Sequence, residues 1–167
     1  MTRVGCPEED VPQSASPGVV SNAEMIVFAL IFPESANEAS VARFEMGKMK
    51  SRSVSVSRSG YTGYAEMIDK VVVPQLDKPH RKYLGYQFAS CEEIRLIMIV
   101  ANSGVPTDRG AICVIDDAYD EYAGHARMGF SEHDPDYWKR NNREAARGNL
   151  AIALGRRGVF NDPSAWP

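Results

Sequence analysis

A histidine and an arginine two residues apart, with two aspartates upstream, are the residues best suited to chemistry. His125 and Arg127 alternate within the segment 122–130, and Asp116 and Asp117 precede it. On a β-strand, residues two apart point to the same face, about 6 to 7 Å from each other. A histidine with a carboxylate partner acts as acid or base near neutral pH, and a neighbouring arginine holds an anionic group. The four residues predict a catalytic site for a phosphate-containing or other anionic substrate, with His125 as acid/base and Arg127 as anion clamp.

The same pattern also has a purely structural explanation. An antiparallel sheet with one solvated face carries charged residues at alternating positions, whatever the protein does. Only proximity in the sequence connects His125 to the two aspartates. An ordinary solvated histidine is therefore the alternative to a catalytic one.

Three arginines near the C-terminus form a second candidate site. Arg140, Arg143 and Arg147 lie three or four residues apart in a predicted helix, so they form a stripe on its surface. Guanidinium groups on one helix face suit phosphate or carboxylate groups. Pairing with the acidic residues in 116–121 is the intramolecular alternative. Because the chain has a formal net charge of -3, a protein or other anionic partner is expected ahead of nucleic acid. Other basic residues flank the stripe: Lys139, Arg156 and Arg157.

Metal and nucleophile chemistry find less support in the sequence. His125 and His133, with the carboxylates between them and upstream, supply enough ligands for a divalent ion. They show no HxH, HxxxH or calcium-loop spacing, so neither a metal nor a cofactor is predicted. Two glutamates follow Cys91, and their negative charge disfavours a reactive thiolate.

Length and composition set limits on the class of protein. The 167 residues, 25% charged and 44% hydrophobic, are ordinary for a single soluble domain. Three cysteines, Cys6, Cys91 and Cys113, are an odd number without metal-ligand spacing. They predict reduced thiols and a cytoplasmic location. No apolar run near the N-terminus approaches the ~20 residues of a membrane helix, so no membrane contact is expected.

The apolar runs predict a mostly antiparallel sheet of about six strands. Its centre is expected at 94–100 and 111–115, the two most apolar runs, which would pair with each other. The run 91–101 is also consistent with a buried helix, because a capping-box pattern begins at Ser90. The basic, serine-rich strand at 53–57 is expected at a solvated edge of the sheet. The remaining predicted strands are 24–32, 83–88 and 122–130. The predicted sheet core consists of Leu96, Met98, Val100, Ile112 and Val114.

About three helices are expected to pack on one face of this sheet. A capping-box pattern at Ser35 predicts a helix over 36–47, and an apolar stripe at helical spacing predicts another over 63–72. The third helix, 135–154, is the best marked, with Asp134 as N-cap followed by a proline. The predicted fold class is therefore α+β.

The chain is expected to divide into a flexible or draped N-terminal arm at 1–22, a single α+β domain at 23–158, and a tail at 159–167 whose Trp166 packs back on the domain.

The residues considered above predict two functional classes. The first is a small cytoplasmic binding or accessory protein that contacts a protein or anionic partner through the basic C-terminal helix and a polar sheet face. The second is the enzyme described above. A concave pocket containing His125 would favour the enzyme, and a flat arginine-lined surface or an apolar patch would favour the binding protein.

Overall fold

The computed structural model describes residues 3–100, 103–132 and 138–167. Within these residues the fold is α+β, as predicted, with seven strands and several helices. The strands are β1 (Met25–Phe32), β2 (Val54–Arg58), β3 (Lys82–Ser90), β4 (Met98–Val100), β5 (Pro106–Gly110), β6 (Ile112–Asp116) and β7 (His125–Phe130). The helices are α1 (Met46–Lys50), α2 (Tyr64–Met67), α3 (Val73–Leu76), α4 (Cys91–Arg95) and α5 (Arg140–Gly155), and a π-helical turn, Ile68–Val72, joins α2 to α3. No helix in these ranges is long and apolar enough to cross a membrane.

Five of the strands form one antiparallel sheet in the order β3-β1-β2-β7-β6, and β4 and β5 form a separate hairpin. The predicted centre of the sheet is therefore wrong. The second apolar run forms β6, which lies at an edge, and the first run contributes β4, which pairs with β5 instead of β6. The edge position predicted for β2 is also wrong, because β2 lies between β1 and β7.

The two faces of β7 are those that the alternating pattern predicts. Ala126, Met128 and Phe130 are buried in the main core, and His125 and Arg127 lie on the other face, half-buried. Helix α5 covers the core face with four apolar side chains, Ala146, Leu150, Ala153 and Leu154. The α5 side of the sheet is therefore the main core of the protein.

The opposite face of β1 and β3 is covered by α2, the π-helical turn and the C-terminal tail. Trp166 packs back on this face, as predicted, with its ring centroid 5.4 Å from that of Tyr86. The Trp166 Nε1–H donates to the Thr62 carbonyl at 3.1 Å. The tail also pairs with the outer edge of β3, where Tyr86 and Phe160 exchange two backbone hydrogen bonds of 2.7 and 3.0 Å.

The predicted helix over 36–47 does not form. The Ser35 hydroxyl accepts from the Ile31 N–H and donates to the Ala29 carbonyl, both at 2.9 Å, so it is engaged with β1 and does not cap a helix. The chain then doubles back, with Ala36 bridged to Ala42, and the only helical turn here is α1. The predicted helix over 63–72 is confirmed and continues through α3.

The segment 91–101 combines both alternatives that the sequence leaves open. The capping box at Ser90 is present, with Glu93 N–H donating to the Ser90 hydroxyl at 3.1 Å, and it starts the short helix α4. Strand β4 follows. The helix shifts the alternation of the apolar run, so Ile97 and Ile99 face the core and Leu96, predicted to be buried, is 61% exposed. The other predicted core residues are half-buried (Met98, Val100) or buried (Ile112, Val114).

The best-marked helix is confirmed as α5, but it begins at Arg140, later than predicted. Its predicted cap, Asp134 with the following proline, lies outside the described residues.

The N-terminal segment, from Arg3 onwards, lies along the outer edge of β6. Cys6 forms a disulfide with Cys113 of β6. Arg3 donates to the Ile112 carbonyl at 2.6 Å, and the buried Glu9 carboxylate accepts the Val114 N–H at 2.7 Å. Backbone groups that a sixth strand would otherwise use are thus bonded to side chains of this segment.

Candidate functional site

Three of the four predicted catalytic residues come together at one end of β7. His125 Nδ1 lies 2.9 Å from the Asp117 carbonyl oxygen and 3.3 Å from its Oδ2. Arg127 Nε lies 3.7 Å from the other carboxylate oxygen of Asp117. Asp117 follows β6 directly, and the antiparallel pairing of β6 with β7 brings it beside the histidine.

Asp116 does not belong to this group. It pairs with Ala126 in the sheet, and strand alternation directs it to the face opposite His125. Its side chain is fully buried, with Oδ1 3.1 Å from Arg58 Nη1 and Oδ2 accepting the Gln13 N–H at 2.7 Å. Both carboxylate oxygens of Asp116 are therefore engaged in structural contacts in the interior.

Two tyrosines pack against His125. The ring centroids of Tyr119 and Tyr122 lie 5.5 and 5.7 Å from that of the histidine. Burial raises the pKa of Tyr122 to about 12, and its hydroxyl bonds to Ser57, so it stays protonated at neutral pH. The His125 side chain is 13% exposed, and no described residue hydrogen-bonds its Nε2. The His125 imidazole can exchange a proton through Nε2 while Asp117 orients the ring.

The predicted arginine stripe on α5 does not form one open surface. The Arg147 guanidinium donates to the Phe44 carbonyl and to the Glu144 carboxylate. Arg143 lies over the Trp138 ring, 5.5 Å from its centroid. Arg140 is 86% exposed, with its Nε 3.9 Å from Glu144. The pairing is thus with the helix's own Glu144 instead of the acidic residues at 116–121. The flanking Arg156 and Arg157 both contact Glu93.

A cleft of about 700 Å³ lies between α5 and residues 33–46. Arg147, Gly148 and Ala151 form the α5 wall, and residues 41–46 form the opposite one. A Cβ built on Gly148 would meet nothing within 4 Å, so the space above this residue is open. A smaller cleft, of about 100 Å³, shares Arg43 and Phe44 with the first and extends towards β2. His125 lines neither of them.

Two charged residues on the rim of both clefts have no partner within the described part of the chain. Arg43 and Glu45 are exposed, and no ion pair or side-chain hydrogen bond joins either to another described residue. The nearby Glu34 differs, because it contacts Lys48 at 2.5 Å and Arg81 at 2.8 Å. The hydrogen bond from Lys48 lowers the Glu34 pKa. The sequence prediction missed Arg43 and Glu45 because it placed them on a helix, although the alternation of apolar and charged residues over 42–45 is typical of a strand.

One cluster of potential metal ligands, Cys6, Glu9 and Cys113, is also buried. Its sulfur atoms are bonded to each other, and the Glu9 carboxylate accepts from the Val114 N–H and from Arg3 and Arg95. The two sulfur atoms and Glu9 Oε1 are therefore already used within the fold.

The protein's relationship to known proteins gives no guide to its function. Comparisons of the chain with protein-family models, with curated proteins and with solved structures found no match.

Proposed function

We propose that this is a binding protein, and that the cleft beside α5 takes a segment of a protein partner. The observation that carries the proposal is the open cleft of about 700 Å³, a volume within the range of ligand sites. It lies on α5, the helix whose arginines suggested a contact surface in the sequence. Of these arginines, Arg147 lines the cleft.

The cleft combines small residues in its α5 wall with charged groups on its rim. Gly148 and Ala151 leave room for a partner's side chains, and Arg43 and Glu45 offer unpaired charges of opposite sign. The Arg147 side chain is fixed between Glu144 and the Phe44 carbonyl. A wall fixed before binding lowers the entropy lost on association, which favours recognition of a partner.

Filling the cleft is expected to abolish binding. Linear peptides of about 12 residues, long enough for a strand or a helical turn, are selected from a random displayed library on the wild-type protein. Gly148→Arg should weaken binding of the selected peptides by at least about tenfold, or ~1.4 kcal/mol, because the new side chain occupies the open space. It should leave the fold intact, since arginine has the higher helix propensity. Titration by fluorescence anisotropy measures the affinities.

Asn149→Arg is the matched control, since it adds the same charge to the next residue of α5, which is exposed outside the cleft. It should bind the peptides like the wild type. Equal losses in both variants would indicate a charge effect, and unchanged binding by Gly148→Arg would place the ligand elsewhere. Either result contradicts the proposal, as does a selection that yields no binding peptide.

A second candidate function is the enzyme with His125 as acid/base and Arg127 as anion clamp. The observation that favours it is the orientation of the histidine: Asp117 holds Nδ1, and Nε2 has no partner among the described residues. That is the arrangement in which a histidine transfers protons to or from a bound substrate. Arg127, 29% exposed, lies on the same face of β7.

If this candidate is correct, the wild-type protein should hydrolyse an activated phosphate ester such as p-nitrophenyl phosphate. His125→Ala should lower kcat by about 10²- to 10⁴-fold, because general acid–base catalysis contributes that much. His80→Ala is the control, since His80 is exposed and has no part in the group. Absence of wild-type turnover, or equal activity in the two variants, would rule this chemistry out.

A cytoplasmic location, the remaining part of the predicted function, stays a prediction. The disulfide between Cys6 and Cys113 counts against it, because disulfides persist mainly in oxidising compartments.

A further inference from the structure

Residues 41–45, which wall the cleft, alternate between exposed and buried as an extended chain does, with a bridge at Ala42 and extended dihedral angles at Glu45. This segment has one paired and one open edge. On the paired edge, Arg43 N–H donates to the Ser35 carbonyl at 2.9 Å and Asn37 N–H donates to the Val41 carbonyl at 3.0 Å. These two bonds flank the bridge between Ala36 and Ala42. In such a pair the N–H and C=O of the bridged residue point away from the partner strand. The backbone groups of Ala42 are therefore directed to the open edge.

The open edge faces the cleft. Backbone directions repeat every second residue in an extended chain, so Phe44 presents its N–H and C=O on the same side as Ala42. The Phe44 carbonyl is reached by Arg147 of α5, the opposite wall of the cleft. Among the described residues, nothing hydrogen-bonds the Ala42 N–H, the Ala42 C=O or the Phe44 N–H.

Unpaired backbone groups at this position are unusual, because Ala42 and Phe44 are only 6% and 5% exposed. Buried backbone donors and acceptors are nearly always hydrogen-bonded. The two outer strands of the five-stranded sheet are bonded at their edges: β3 pairs with Phe160, and β6 bonds to Arg3 and Glu9. The edge at Ala42 and Phe44 is therefore a row of donors and acceptors prepared for another backbone.

We propose that the partner segment is an extended peptide that adds as a strand to the open edge at Ala42 and Phe44. The proposal rests on the proposed function and names the class of ligand that the cleft takes. An added strand would lie about 4.8 Å from the edge, and its backbone would bond the Ala42 N–H and C=O and the Phe44 N–H. An amphipathic helix satisfies its own backbone and would leave these three groups without partners.

The side chains around the edge define the chemistry of the peptide. Arg43 and Glu45 lie two residues apart and share one face of the segment, so each will stand beside a residue of the added strand. Charge complementarity calls for an acidic residue opposite Arg43 and a basic residue opposite Glu45. The peptide residue between these two points to the other face, towards Gly148 and Ala151, and is expected to be apolar. The ligand is thus a charged–apolar–oppositely charged triplet in extended conformation.

A backbone N-methylation scan of a peptide selected on the wild-type protein tests the pairing. N-methylation should weaken binding at least tenfold at the peptide residue whose N–H donates to the Ala42 C=O, because it removes that donor. It should also do so two residues away, opposite Phe44, because the methyl group there points at the same edge and blocks close approach. The residues between them, whose N–H groups point away, should tolerate it. The expected pattern has a period of two. A helical period, or uniform tolerance, would overturn strand addition even if Gly148→Arg still blocked binding, in which case the proposed function would stand alone.

Hydrogen exchange followed by NMR tests the edge itself. In the free protein the Arg43 amide should be protected and those of Ala42 and Phe44 should exchange faster; saturating peptide should protect both. A charge substitution supplies the side-chain test: Arg43→Glu should weaken the acidic–apolar–basic peptide and favour a basic–apolar–basic one, because Glu45 is retained. Strand addition is wrong if the Ala42 and Phe44 amides remain unprotected with the peptide bound. If Arg43→Glu leaves the preference unchanged, the assigned charge pattern is wrong.

Discussion

Arg58→Met is expected to lower the free energy of unfolding by about 3 to 5 kcal/mol, the cost of breaking a buried ion pair from one side. The Arg58 side chain is 1% exposed. Its Nε and Nη2 contact the two oxygens of Glu24 at 2.6 and 3.0 Å, and its Nη1 contacts Asp116 Oδ1 at 3.1 Å. Methionine fills similar volume but leaves the fully buried Asp116 carboxylate without its cation. The measurement is equilibrium denaturation in urea with an unchanged m-value.

Arg157→Met is the matched control for this prediction. Arg157 also forms a two-point contact with a glutamate, Glu93, at 2.9 and 3.2 Å, but its side chain is 37% exposed. An ion pair in contact with water contributes only about 0 to 1 kcal/mol. The difference between the two variants therefore compares the loss of a buried ion-pair network with the loss of an exposed ion pair.

A second substitution tests whether the unpaired Asp116 carboxylate causes this loss of stability. Asp116→Asn, added to Arg58→Met, should recover part of the lost stability, because the double variant no longer buries an unpaired charge at that position. Asp116→Asn alone should be destabilising. Equal costs for the arginine variants at 58 and 157, or strictly additive effects of the two substitutions, would contradict this account.

Local patterns in the sequence were sufficient where one face of an element is buried and the other is solvated. The alternation in β7 predicts its faces, because a strand repeats every two residues and a wrong register would expose Met128 and Phe130. It therefore also brings His125 and Arg127 to one face. Asp117 joins them because β6 and β7 are neighbours in both sequence and space.

Local signals failed where a polar side chain found a distant partner. The Ser35 hydroxyl, predicted to cap a helix, bonds instead to the backbone of β1. Ser57 and Arg58 make β2 look like a solvated edge strand, yet Tyr122, Glu24 and Asp116 satisfy them in the sheet interior. These partners lie 34 to 65 residues away from Ser57 and Arg58 in the sequence. A pattern confined to a short stretch of sequence therefore cannot include them.

The wall of the cleft formed by residues 41–45 could not be predicted from the sequence for a related reason. Once Ser35 is taken to start a helix, residues 41–45 become part of that helix, and the open edge at Ala42 cannot be foreseen. The edge exists because the bridge to Ala36 uses only one side of the chain. Because Ser35 is assigned as a helix cap, the sequence does not predict the open edge at Ala42 and Phe44 on which the proposed binding mode depends.

Removing the disulfide is expected to cost about 2 to 4 kcal/mol of the free energy of unfolding. Cys6 and Cys113 are 107 residues apart, so the bond restricts most of the unfolded chain. In the chain-entropy account a loop of about 100 residues gives one of the larger stabilisations, ~4.7 kcal/mol before any native-state strain is subtracted. The double variant Cys6→Ala/Cys113→Ala is compared with the wild type by equilibrium denaturation, with and without dithiothreitol.

Cys91→Ala controls for the loss of packing, because Cys91 is also buried but forms no disulfide. It should cost less than the double variant, and dithiothreitol should destabilise it as much as it destabilises the wild type. The double variant should be insensitive to the reductant, since its only remaining cysteine is unpaired.

Alkylation tests the disulfide directly. In the denatured, unreduced wild type it should label one thiol. Labelling of three thiols, or equal sensitivity to the reductant in all variants, would show that Cys6 and Cys113 are reduced. The N-terminal segment would then be held to β6 by the hydrogen bonds of Arg3 and Glu9, without a covalent link.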